Sequence, residues 1–211
     1  ENGQSTWFHT SLRLVAREGE NGLELRGLSV DMTDAKRGER ALRFFARASS
    51  ELTASLAAEE TINRVACLAI PYLADFAAVE LVGEGEAEPC RSAFHADSKQ
   101  VDAIRELAFT TDFGGAPGEG GLRVARDLAK LEGSALARRL AVNAAASLPL
   151  EARGRIIGWL KLFSHDARRW DEAREREIAE EYGRRAAHAI DNALLYQQAH
   201  EAIALRDEFL S

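Results

Sequence analysis

The sequence predicts an α+β fold: strands that pair as antiparallel hairpins, with helices between them and long helices towards the two ends. Three observations carry this reading. Short extended runs occur as neighbours joined by turn-rich segments, FAAVELV (76–82) with PCRSAFH (89–95) and 144–151 with 154–164, as antiparallel hairpins require. Helical patterns precede, separate and follow these pairs without the strict alternation of a parallel sheet. The final stretch, from about Glu172 to the last residue, keeps helical periodicity over about 40 residues, or roughly 60 Å.

The elements follow in order. WFHTSLRLVAR (7–17) and LELRGLSVD (23–31) are extended runs around EGENG, whose Gly19, Asn21 and Gly22 accept positive φ, so they form a β-hairpin. A lone hairpin is marginal in water, so this one packs on something or belongs to a larger sheet. Thr33 is the expected N-cap of a helix reaching about Ser55, with Asp34 favouring its positive end. A second helix covers 58–70 and ends at Pro71. After the first strand pair, 98–109 is helical, TDFGGAPGEGG is a loop, 122–127 a short strand and 132–141 a helix. The second hairpin leads through SHDARRW to the last helix, for which Asp171 is the expected cap.

Composition narrows the function. The chain has 211 residues, 46% hydrophobic and 29% charged, with a net charge of −7, so it suits a globular domain and not a phosphate backbone; no nucleic-acid partner is expected. Cys67 and Cys90 are too few for a disulfide framework or a structural zinc site, and a reducing, cytoplasmic setting is expected. No apolar run approaches the roughly 20 residues that cross a bilayer. The start at Glu1, and a final helical pattern with no Gly, Asn or Pro to stop it, predict a segment of a longer protein.

Two helices carry seams. Leu42, Phe45, Ser49, Leu52 and Leu56 follow steps of three and four, as do Ala179, Tyr182, Ala186, Ala189, Ala193, Tyr196, His200, Ile203 and Leu210, with Asp207 the misfit between the last two. Such spacing suits a homodimer through Leu42, Phe45, Leu52, Tyr182, Ala189, Ala193, Tyr196 and Ile203. A helix packed on its own domain gives the same spacing. Ala186, Ile190 and Leu194 lie on a second line suited to a sheet.

The element order over 41–198 resembles a GAF domain, most specifically in Ala146-Ser147-Leu148-Pro149-Leu150 and Gly154-Arg155-Ile156-Ile157-Gly158-Trp159-Leu160-Lys161-Leu162, similar to the family's S-x-P-L … G-x-x-x-G-x-L-x-L hairpin. Residues 1–33, closing on Gly27-Leu28-Ser29-Val30-Asp31-Met32-Thr33 just before Asp34, resemble the C-terminal hairpin of a PAS domain, and 34–56 a linker or signalling helix running into the GAF domain. Residues 199–211, with Arg206-Asp207-Glu208-Phe209-Leu210-Ser211, resemble the start of a histidine-kinase dimerisation helix just before its phosphoacceptor. Together the resemblances imply the sensory part of a bacterial multi-sensor histidine kinase. Its partners would be its own PAS and kinase domains, a second copy, a small-molecule ligand, and a response regulator engaged through the kinase core.

The resemblance also implies an antiparallel sheet with helices on both faces and a ligand cavity on one of those faces. Its candidate lining is Cys90, Phe94, Phe109, Phe113 and Trp159, with Lys161 on Trp159's side of its strand; all five also read as ordinary core residues. Cys90, Ser92 and Phe94 share a face by alternation. His95 ends its strand, where a haem ligand or a plain surface residue fits, and His200 lies on the proposed seam. No metal motif is present, the glycine loop 114–121 lacks a P-loop lysine, and no cofactor is required. The segment itself is expected to be non-catalytic. The alternatives are a cysteine-dependent redox enzyme similar to free methionine sulfoxide reductases, and the sensor of a cyclic-dinucleotide enzyme.

Overall fold

The structure is a computed structural model and describes residues 6–16, 23–82, 91–95, 98–110, 121–126, 128 and 134–209. It divides into two compact units, Glu1–Ala46 and Arg47–Ser211.

In the first unit, β1 (Phe8–Ala16) and β2 (Leu23–Asp31) pair antiparallel, Phe8 opposite Asp31. Phe8, Leu12, Leu14, Leu23 and Leu25 share one face by register and are all exposed. Gly27 makes room there: a Cβ on it would lie 2.6 Å from Leu12 Cδ2. Helix α1 spans Thr33–Leu52. Its cap differs from the expectation. The Asp31 carboxylate accepts the Thr33 N–H at 2.8 Å, while the Thr33 hydroxyl accepts the Trp7 N–H at 2.9 Å. Asp31 thus satisfies the helix end, and its pKa is lowered chiefly by the hydrogen bonds from Thr33. Thr33 instead ties the start of the hairpin to the start of the helix.

In the second unit, a five-stranded antiparallel sheet has the order β4-β3-β7-β6-β5: β3 Phe76–Leu81, β4 Arg91–His95, β5 Arg123–Ala125, β6 Ala144–Ala152 and β7 Arg155–Ser164. Both predicted hairpins form. The β6–β7 turn places Arg153 at φ +53 and Gly154 at φ +73, the two positive values a two-residue hairpin turn needs. Helices α2 (Ala58–Leu68) and α5 (Ala173–Phe209) cover one face. Ser92 of β4 donates to the Asn63 side chain of α2, and Gly183 of α5 sits against Leu148 of β6. The other face carries α3 (Val101–Thr110) and α4 (Ser134–Arg139), with Phe76, Ala78, Ala93, Ala145 and Phe163 packed against Ile104, Leu107, Ala137 and Leu140. The fold is therefore α+β with helices on both faces, as predicted.

The start of α5 also departs from the sequence reading. The Asp171 carboxylate pairs with Arg126, and the helix begins at Ala173. Trp170, buried with φ +67, is held by its neighbours: its backbone N–H donates to Glu175 Oε2 at 3.0 Å and its carbonyl accepts from Arg176 Nε at 2.7 Å. Glu175 thus reaches back over the helix start, as a glutamate in the first turn of a capping box does.

What covers the α5 seam changes along the helix, and its last member, Leu210, lies outside the described residues. Ala179, Tyr182, Ala186 and Ala193 are buried within the chain, and the Tyr182 hydroxyl donates to the Val65 carbonyl at 2.7 Å. Tyr182, Ala193 and the buried Leu52 of α1 therefore belong to the core and offer no surface to a second copy. Ala189 and Phe45 are half-buried, whereas Leu42, Tyr196, His200 and Ile203 are exposed, Leu42 at 72%.

Candidate functional site

Register decides which residues can meet on the sheet. On the α3/α4 face, cross-strand rows read Arg91–Glu80–Trp159–Pro149 and Ala93–Ala78–Lys161–Ser147–Arg123. Neighbouring strands lie about 4.8 Å apart, so these rows form a continuous patch beside the apolar row of Phe76, Phe163 and Ala145. The opposite face of the same strands is apolar: Ala77, Val79, Leu81, Leu160 and Leu162 are all buried.

Glu80 is the centre of the patch. Its Oε2 accepts from Lys161 Nζ at 2.8 Å and its Oε1 from Arg91 Nε at 2.9 Å. Lys161 also donates to the Ala108 carbonyl at 2.6 Å, at the end of α3. Both cations lie over the half-buried Phe109 ring, Arg91 at 5.2 Å and Lys161 at 5.5 Å from its centroid. The Lys161 side chain is 11% exposed and that of Arg91 45%, so the charge runs from a covered end to an open one.

Burial raises the Glu80 pKa, but the hydrogen bonds and charges of Lys161 and Arg91 outweigh it and hold the carboxyl below its ordinary value of 4.5. A carboxylate with a lowered folded pKa stabilises the fold above its unfolded pKa, and that contribution is lost as pH falls through the folded value. Glu80→Gln is therefore expected to melt below the wild type at neutral pH, with the gap closing as pH drops below 4.5. A gap in melting temperature that does not change with pH would count against this electrostatic role.

The structure separates the five sequence-derived cavity candidates. Phe109 and Trp159 lie on the charged face, both half-buried. Phe94 pairs with Ala77 and lies on the opposite face with Ser92, packed towards α2, so it is not part of this patch. Cys90 and Phe113 fall outside the described residues, as does most of the glycine loop. Cys67 is half-buried on α2. Among the described residues, no group of three His, Cys, Asp or Glu could hold a metal ion.

Sequence reasoning placed Lys161 beside Trp159 but missed Glu80, Arg91, Ser147 and Arg123. The signal was there in two strands: Glu80 in FAAVEL and Lys161 in RIIGWLKLFS are isolated, opposite charges within otherwise buried runs.

No protein-family model matches the chain, and no curated protein matches it in sequence. Solved structures match it in fold. The GAF domain of a Pseudomonas syringae pv. tomato protein named as a sensor histidine kinase superposes with a TM-score of 0.58 at 16% identity, covering 82% of this chain and 97% of that one. The GAF domain of a phosphoenolpyruvate-protein phosphotransferase from Coxiella burnetii gives 0.54 at 16% identity, over 75% and 96%. Free methionine-R-sulfoxide reductase from Neisseria meningitidis, solved with its substrate, gives 0.50 at 15% identity, over 76% and 93%. At these identities the likeness establishes the fold, which is GAF-like.

Proposed function

We propose that this GAF-fold chain is a sensory and signal-transmitting module of a two-component sensor histidine kinase, and that it works as a homodimer joined through its terminal helices. The observation that carries the reading is α5. Its first turns are buried against the sheet and α2, and beyond Ala193 the same line of residues becomes exposed at Tyr196, His200 and Ile203. One helix therefore joins the GAF-like fold to an exposed stripe of Tyr196, His200 and Ile203 suited to a second helix. A domain that needed only to fold would end its helix where burial ends.

In this reading the dimer lies in the cytoplasm between a PAS domain, whose last hairpin is β1–β2, and the kinase core. Exposed Leu42 would add to the pairing in α1 and Ile203 in α5. A change at the sheet would bias α5 between two registers or tilts and so shift the kinase core between its output states, from which a response regulator is phosphorylated. The GAF fold shared with a protein named as a sensor histidine kinase supports this. Among the described residues no helix is long and apolar enough to cross a membrane. A cysteine-dependent reductase draws support from fold alone, because Cys67 is half-buried on a helix.

Sedimentation velocity tests the proposal. The chain is expected to sediment as a dimer at micromolar concentration, and Tyr196→Glu with Ile203→Glu is expected to yield a folded monomer. A wild-type monomer, or a dimer indifferent to both substitutions, would remove the basis for helix-borne signalling.

A further inference from the structure

We infer that the Arg91–Glu80–Lys161 patch binds a small organic carboxylate with a flat apolar body, such as an aromatic or other planar monoacid. The inference rests on the sensory reading above and supplies the ligand class for it.

The first argument is that stability does not explain the patch. Three charges lie on a sheet face whose neighbouring row is packed with Phe76 and Phe163, and Lys161 is nearly covered. Desolvating such groups costs free energy that their mutual attraction only roughly offsets, and apolar residues of the same size commonly serve stability as well or better. A local breach of the apolar pattern is where function is expected.

The second argument is charge and shape. Arg91, Lys161 and Glu80 together carry a net positive charge, and the Ser147 hydroxyl lies one strand further on in the row of Lys161. An anion is favoured there. Glu80 lies between the two nearest cations, which sets a limit: it repels a dianion such as phosphate more strongly than a monoanion. A guanidinium fork matches a carboxylate in two parallel hydrogen bonds, and Arg91 has the exposed end of the patch. Beside these charges, Trp159 and Phe109 are half-buried rings that can cover the faces of a flat body.

The third argument is positioning. With Glu80 holding one hydrogen on each cation, both are already fixed before an anion arrives, so little side-chain freedom is lost on binding. Lys161 also touches the end of α3 at Ala108, so an anion that draws on Lys161 acts on that helix.

Benzoate, benzamide and inorganic phosphate are the probes, titrated into the purified chain at constant ionic strength by calorimetry, with the indole NMR signal of Trp159 as a second readout. Benzoate is expected to bind saturably in the millimolar range and shift the Trp159 signal. Arg91→Gln and Lys161→Met are each expected to weaken it roughly tenfold, as loss of a charge-assisted hydrogen bond implies, with both variants still folded by circular dichroism. Benzamide binding as tightly as benzoate would reduce the site to an apolar groove and overturn the inference. Phosphate binding in place of benzoate would overturn the ligand class. Benzoate binding untouched by either substitution, or no saturable binding, would overturn the site. Each of these outcomes is independent of the sedimentation result, so the ligand class and the signalling role fail separately.

Discussion

Replacing Gly158 with alanine is expected to lower the stability of the second unit by about 3 kcal/mol, the upper part of the usual range for overpacking. Gly158 of β7 faces Leu81 of β3 across the ladder. A Cβ there would lie 2.3 Å from the Glu80 carbonyl oxygen and 2.9 Å from Leu81 Cα. Both are backbone atoms of the adjacent central strand, so no rotamer change relieves the contact and β3 itself must move. The shift falls on the residue that carries the Glu80 carboxylate, so weaker benzoate binding is expected along with the loss of stability. Gly154→Ala is the matched control. It meets nothing within 4 Å but must adopt φ +73, which costs about 1 kcal/mol. Chemical denaturation of the two variants decides the matter, and equal losses would contradict the close approach of β3 and β7.

The second large effect lies at the end of the β6–β7 hairpin, and its interest is an asymmetry. Asp191 of α5 has a side chain only 3% exposed, and its Oδ2 accepts from Arg153 Nε at 2.7 Å. Arg155 lies 3.9 Å from Oδ1, which has no hydrogen-bond partner among the described residues. Both arginine side chains are more than half exposed. Removing an arginine leaves a buried carboxylate short of compensation, whereas removing the carboxylate frees two arginines to water. Arg153→Ala is therefore expected to cost about 3 kcal/mol and Asp191→Ala only about 1 kcal/mol. Denaturant midpoints that rank Asp191→Ala as the worse variant would contradict the account. The clasp joins the β6–β7 hairpin to α5 next to Ala193, just before its line of residues becomes exposed.

The fold was legible where chemistry is local. EAR-Gly154 predicts a tight turn because only residues tolerant of positive φ close a two-residue hairpin, and the structure has that turn. The sheet order was not legible: β3 pairs with β7, and the Lys161–Glu80 bond that results spans 81 positions, which no pattern within one strand can show. Alternation grouped Ser92 with Phe94, as the register has them, but could not say that this face of β4 is the one that meets α2. The seam on α5 shows a similar limit. Steps of three and four describe Tyr182 buried against α2 as well as Ile203 in the open, because a helix packs by the same periodicity on its own chain and on another. At the helix starts, Thr33 and Asp171 had the right chemistry for caps. Asp31 and Glu175 took those roles because both expected residues are engaged elsewhere, with Trp7 and Arg126.

The central claim is that two copies of α5 run side by side beyond Ala193, in parallel and in register. Disulfide trapping reads this directly, with Ile203→Cys and Glu201→Cys each placed in a Cys67→Ser, Cys90→Ser background and exposed to mild oxidant. Ile203 lies on the proposed seam and Glu201 on the far side of the helix. The account predicts rapid disulfide-linked dimer for Ile203→Cys and little for Glu201→Cys. Equal trapping at both positions, or none at Ile203→Cys, would contradict it.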